Sequence, residues 1–332
     1  MTRVLSGIQP TGDVHLGNFL GALRQWAIDQ HTHDSFYTAV DLHAVTVQQD
    51  PLELRSKTLE TMATLVAVGL DPEVCTLFVQ SHVPCHTELS WLLECTVSFG
   101  ELRRMTQFKD KSAKQSDSGQ EHVSAGLFTY PALMAADILI YDADRVPVGD
   151  DQRQHLELTR DIAERFNSRY GETFVLPEAA IPKIAARVMD LQEPTNKMSK
   201  SSESPMGTVG IFEETSAIAK KFKRAITDSE NQVRFDFEAK PGVTNLLSIL
   251  GAATDRDPES LADEYHQYGP LKNDTAEAII TVLEPVQNRR AELLADPAEL
   301  GRIIARGAEK ASEVAVVTVQ RAKDAMGFLS AG

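Results

Sequence analysis

Two segments far apart in the chain combine residue types suited to phosphate: Pro10 to Asn18 and Lys197 to Ser201. In the first, Pro10-Thr11-Gly12-Asp13-Val14-His15-Leu16-Gly17-Asn18, glycine lets backbone approach an anion while His15 and Asn18 offer polar groups to phosphate oxygens. It is not a P-loop: Gly7 and Gly12 have the right separation, but Asp13-Val14 follows where Lys and Ser or Thr are needed. Taken singly, it reads equally well as a tight strand-to-helix turn with an N-cap. In the second, Lys197-Met198-Ser199-Lys200-Ser201 places two ammonium groups and several hydroxyls on a polar connection between Pro194 and Pro205, which alone reads as surface. A third feature is Asp137, a carboxylate inside the apolar run Leu127 to Tyr141. Burying it is costly unless a donor answers it, and either a ligand N–H or the protein's own backbone would serve. His31-x-His33 and Cys85-His86 lack a third and fourth ligand at metal spacing, so no metal site is expected.

The elements that must position these groups read as alternating strands and helices. Arg3 to Ile8 is a strand ending at Pro10-Thr11-Gly12. From His15, the apolar residues Leu16, Phe19, Leu20, Leu23, Trp26 and Ala27 recur three and four apart, a helix with one stripe toward a sheet. A strand from Phe36 to Val40, a helix from Pro51 to Leu70 and a strand from Thr76 to Gln80 follow. The pattern predicts an α/β fold, a Rossmann-like parallel sheet with helices on both faces. Lys109 to Ser124 is polar and aperiodic, a loop suited to be a lid. Beyond Glu213 strand signals thin out; Ala276 to Leu294 and Leu300 to Met326 look helical, punctuated by Pro285 and Pro297. Residues 1–205 are therefore expected to form the Rossmann-like unit with an inserted helical segment, and 206–332 a mostly helical one.

With 332 residues, 42% of them hydrophobic, the chain has enough apolar material for two ordinary domains. Its three cysteines lack Cys-x-x-Cys spacing, so neither a disulfide framework nor a zinc knuckle is indicated. The run Leu127 to Tyr141 is too short for a bilayer, and a cytosolic, soluble protein is expected. A net charge of -15 argues on average against a polyanionic partner. Local basic clusters remain, at Lys220, Lys221, Lys223 and Arg224, at Arg289 and Arg290, and at Arg302, Arg306 and Lys310.

Together, His15-x-Gly17-Asn18 and Lys197-Met198-Ser199-Lys200-Ser201 resemble the two signature motifs of class I aminoacyl-tRNA synthetases, with Asn18 where the first motif usually ends in His. Further stretches, Ser6 to Gly12, Asp41 to Ala44, Gly100 to Lys109, Thr129 to Asp137 and Val146 to Gln152, extend the likeness over most of the chain, to the bacterial tryptophanyl-tRNA synthetase family. The resemblance implies attack of the tryptophan carboxylate on the α-phosphorus of ATP, then capture of the adenylate by tRNA(Trp). It implies Mg2+ accompanying ATP, a homodimer, an anticodon-binding role for 206–332, and no membrane or DNA partner. By the same resemblance Lys197, Lys200 and Lys111 act on the phosphates. Gln9, Pro10, Thr11, Gly17, Asn18, Gly149, Asp150, Asp151, Val188, Met198, Ser199 and Ser201 contribute to the ATP site. Asp137 would take the indole N–H; Leu5, Val40, Met134, Val146 and Val148 would flank the ring; Tyr130 and Gln152 would meet the α-amino group, with His43 lining the site. The rivals are a tyrosyl-tRNA synthetase, a nucleotidyltransferase of the same superfamily and a catalytically silent tRNA-binding relative.

Overall fold

In a computed structural model, which describes residues 1–106, 124–147, 149, 152–180, 188–199 and 204–330, the chain opens with strand β1 (Arg3–Ile8). A helical stretch, α1 (16–29), follows, with a π-helical segment at Phe19–Leu23 between its α-helical ends. Next come β2 (Asp34–Ala39), the short α2 (Asp41–Ala44), α3 (Pro51–Ala67), β3 (Thr76–Val79), α4 (Cys85–Glu94) and α5 (Phe99–Arg104). The chain continues through α6 (Ala125–Leu139), β4 (Arg145–Pro147), α7 (Arg153–Tyr170) and β5 (Glu178–Ala180). Among the described residues, all later elements are helices: α8 (Thr215–Lys223), α9 (Pro241–Thr254), α10 (Pro258–Ala262), α11 (Tyr268–Ala295) and α12 (Pro297–Met326).

The five strands form one parallel sheet in the order β3-β2-β1-β4-β5. Because the chain winds outward from β1 through β2 to β3 and then returns to β4 on the other side, its switch point lies between β1 and β4. In a sheet of this kind ligands bind beyond the carboxyl ends of the strands at that point.

The register explains the two-sided burial. Leu5 pairs with Phe36 and Thr38 with Phe78, so these point to one face, while Tyr37, Ala39, Leu77 and Val79 point to the other. The first face packs on α4, α6 and α7 through Leu89, Leu93, Ile138, Leu139 and Ile162. The second packs on α1 and α3, whose Leu16, Leu23, Met62 and Leu65 share a core with Ile279 and Leu283 of α11. Helix α12 lies against β3, and a Cβ added at Gly307 would fall 1.6 Å from the Leu77 carbonyl oxygen. Gly307, Ala308, Ala311 and Ala315 form the buried small-residue stripe that permits this approach.

The strands and long helices expected from periodicity are present with ends close to those expected, except that the helix expected from Ala276 already begins at Tyr268. One expectation fails: Pro285 does not punctuate, since it lies inside α11. It sits on an exposed turn where water can take the bond its missing N–H would have made, while buried Leu283 and Val286 hold the helix in register. Pro297, by contrast, starts α12 at its first turn, behind an Asp296 cap.

Candidate active site

The turn from β1 into α1 is built by its own side chains. His15 caps α1: its Nδ1 accepts from Asn18 N and its backbone N–H donates to Asn18 Oδ1, each at 3.3 Å. Asn18 in the histidine position of the motif thus closes a reciprocal cap. Gly12 takes φ 67°, which a side chain would strain. Gly17 faces the second motif, since a Cβ there would stand 3.1 Å from the His15 ring and 3.7 Å from the Met198 Cβ.

That second motif leaves a hairpin whose strands bridge at Met189 and Lys197, with Met198 N donating to the Val188 carbonyl at 3.0 Å. Asn245 of α9 grips the base of the hairpin: its Oδ1 accepts from Met189 N at 2.8 Å and its Nδ2 donates to Met189 O at 2.9 Å. Downstream, Leu16 N donates to Val209 O at 2.8 Å and Ile211 N to Val14 O at 3.1 Å, sewing the two motif regions together. Val188 and Met198 are buried in the core, and Lys197 is exposed. The half-buried Ser199 accepts from Thr208 Oγ1 at 2.8 Å. Lys111, Val148, Asp150, Asp151, Lys200, Ser201 and most of the polar stretch Lys109 to Ser124 lie outside the described residues.

A cavity of about 320 Å³ opens at the carboxyl ends of β1, β2 and β4 and is roofed by α6. Its walls bring together Leu5, Gln9, Val40, His43, Tyr130, Met134, Asp137, Val146 and Gln152, with Ile138, Gly7 and Thr38 beside them. Gly7 is required here, because a Cβ would meet Val40 Cγ1 at 2.7 Å. Pro10 and Thr11 follow on the turn, and Gly149 is exposed with its carbonyl accepting from Gln152 N at 3.0 Å. The size falls within the range usual for small-molecule sites, roughly 300–1,000 Å³.

Asp137, 4% exposed, is the charged group of this cavity. Its Oδ1 accepts from Gln80 Nε2 and faces His86 Nδ1, and its Oδ2 faces His43 Nε2, each at 2.7 Å. Burial alone would raise its pKa, but the bonds from His43 and His86 outweigh it and hold the carboxyl down at about 2. Tyr130 hydrogen-bonds His155 Nε2 at 2.7 Å, and burial pushes its phenol up to about 12, so it stays a neutral hydroxyl. The sequence points to Asp137 and His43, but gives His86 no role beyond a metal pair it dismisses, and Gln80 none at all. Gln80 stands just past the carboxyl end of β3, a position that could have marked it. His31 and His33 lie in the turn after α1, where His33 Nδ1 meets Thr32 Oγ1 at 2.9 Å.

A parallel sheet with a cavity at its switch point, a capped His-x-Gly-Asn turn and a lysine-bearing hairpin against it define a class I synthetase core. Residues 1–284 match the family of tRNA synthetases class I (W and Y), and the chain belongs to that family. It is 54% identical to a tryptophan-tRNA ligase of Streptomyces avermitilis over 99% of this chain and 98% of the other. A tryptophanyl-tRNA synthetase structure from Mycoplasma pneumoniae superposes with TM-score 0.91 at 38% identity, covering 99% of both chains. One from Campylobacter jejuni, complexed with ADP and tryptophan, gives 0.84 at 34% identity over 98% of this chain and 100% of that one.

Proposed function

We propose that this chain is a tryptophan-tRNA ligase that activates L-tryptophan with ATP and transfers it to tRNA(Trp). The observation that carries the reading is Asp137: an ionised carboxylate in a largely apolar cavity, with acceptor capacity left for a ligand N–H. The indole N–H supplies that donor while Leu5, Val40, Met134 and Val146 enclose the ring. Phenylalanine would leave the acid with one bond fewer, and sites of this kind reject such analogues by roughly 10⁴ or more.

In the first step a carboxylate oxygen of tryptophan bonds to the α-phosphorus as the bond to the bridging oxygen breaks, and pyrophosphate leaves. In the second a terminal ribose hydroxyl of tRNA attacks the activated carbonyl and AMP leaves. Such transfers need positioning and charge stabilisation above all. The proximity of Gly17 and Met198 supports assigning Thr11, Gly17 and Asn18 to the nucleotide and Lys197 and Lys200 to its phosphates. Mg2+ is assigned to ATP's phosphates.

The unit 206–332 is assigned the tRNA anticodon, and the working form a cytoplasmic homodimer. Exposed Trp91 and Phe99, 64% and 70% accessible, with the Phe99 ring 4.9 Å from Phe128, support a subunit face along α4 and α5. Amino-acid-dependent ATP–pyrophosphate exchange tests the reading: exchange is expected with tryptophan and not with tyrosine, followed by charging of total tRNA. Exchange with tyrosine alone would overturn it.

A further inference from the structure

The partners that fix Asp137 are themselves fixed by second bonds. Gln80 Oε1 accepts from Leu42 N at 3.1 Å, which sets the sense of the amide and turns its NH2 toward Asp137 Oδ1 at 2.7 Å. His86 Nε2 lies 2.7 Å from the Tyr141 hydroxyl and its Nδ1 2.7 Å from Asp137 Oδ1. With Tyr141 donating, the ring proton sits on Nδ1 and points at the acid. Tyr141 has no freedom to turn away, being fully buried, stacked on Phe36 at 4.7 Å and edge-on to Phe78 at 5.6 Å. Gln80 and His86 are fully buried as well, and neither Gln80, His86 nor Tyr141 lines the cavity.

Counting acceptor positions then becomes decisive. A carboxylate offers about four, two on each oxygen. Oδ1 is filled by Gln80 and His86; Oδ2 has one bond, from His43, and one position left. We infer that Gln80, His86 and Tyr141 are specificity-positioning residues, which fill one oxygen of Asp137 and leave the other acceptor-only toward the cavity. A ligand atom that meets Oδ2 must therefore carry a proton. The inference rests on the tryptophan reading and adds to it the residues that set its strictness.

The test uses the full-length enzyme and pyrophosphate exchange with L-tryptophan and with 3-benzothienyl-L-alanine, in which sulfur replaces the indole N–H. The quantity read is the ratio of kcat/KM for the two amino acids, expected at roughly 10⁴ in the wild type. Gln80→Leu and His86→Leu should lower it about tenfold or more, through a raised KM for tryptophan, since each removes a donor to a charged group. Tyr141→Phe keeps the ring in the core and should lower the ratio about threefold, whereas His86→Asn, which keeps a donor near Nδ1, should hold it within about threefold. A merely structural role would depress both substrates alike, so unchanged ratios in Gln80→Leu and Tyr141→Phe overturn the inference even if His86→Leu fails to fold. A wild-type ratio near one removes the indole reading itself, and this assignment with it.

Discussion

Asp137 lies in an apolar core yet stays ionised, because donors on three elements converge on it. Asp137→Asn should therefore lower kcat/KM for tryptophan at least a hundredfold in pyrophosphate exchange, since the amide presents an N–H where an acceptor is needed. Lys197 is exposed, without an ion pair among the described residues, and fits a role on ATP. Lys197→Ala should cut adenylate formation about a hundredfold while tryptophan affinity, read by equilibrium dialysis, stays nearly unchanged. Glu101 supplies the pH prediction. The Arg165 guanidinium, bonded to it at 2.9 Å through Nη1, holds its carboxyl down at about 2. A depressed carboxylate pKa stabilises the fold above the unfolded value near 4, and that stability is lost as pH falls from about 4 toward 2. Urea midpoints should fall across this window, and Glu101→Gln should flatten the fall by on the order of 3 kcal/mol. At this scale the sequence showed the residues whose chemistry is local or held in a motif. Gln80 and His86 stayed hidden because their meaning depends on an acid more than fifty positions away.

The strand-turn-helix at β1 and α1 was readable because apolar spacing, Gly12 and the His15 cap all act within a few residues. The hairpin from Val188 to Met198 was not, for its base is held by Asn245 from α9. This grip yields a prediction: Asn245→Ala should reduce the exchange rate about tenfold by loosening the strand opposite Lys197, with little change in the KM for tryptophan. A fall in tryptophan affinity equal to the fall in rate would count against it. Pro285 teaches the complementary lesson. A local helix breaker loses to tertiary burial when its own turn faces water and its neighbours Leu283 and Val286 face the core.

Across the whole molecule, the acidic balance and the basic clusters answer one another. Arg289 binds Glu292 and Glu299, Arg290 binds Glu60, Arg306 binds Glu73, and Lys221 binds Glu213, so much of the apparent basic surface is taken up by the protein's own acids. The α/β class and the helical carboxy-terminal region were legible from period alone. The return of α12 to the sheet was not, since a stripe of Gly307, Ala308, Ala311 and Ala315 names no strand as its partner. Gly307→Ala should lower stability by about 2 kcal/mol or more in urea unfolding, because the added methyl must push α12 off the Leu77 backbone. The same contact sets an order of events during synthesis. β3 is an edge strand with apolar Leu77, Phe78 and Val79, and the helix that shields it leaves the ribosome long after the strand it covers. A nascent or truncated chain ending near Asp296 would present that edge bare, so termination before α12 should yield an aggregating product rather than a shortened enzyme.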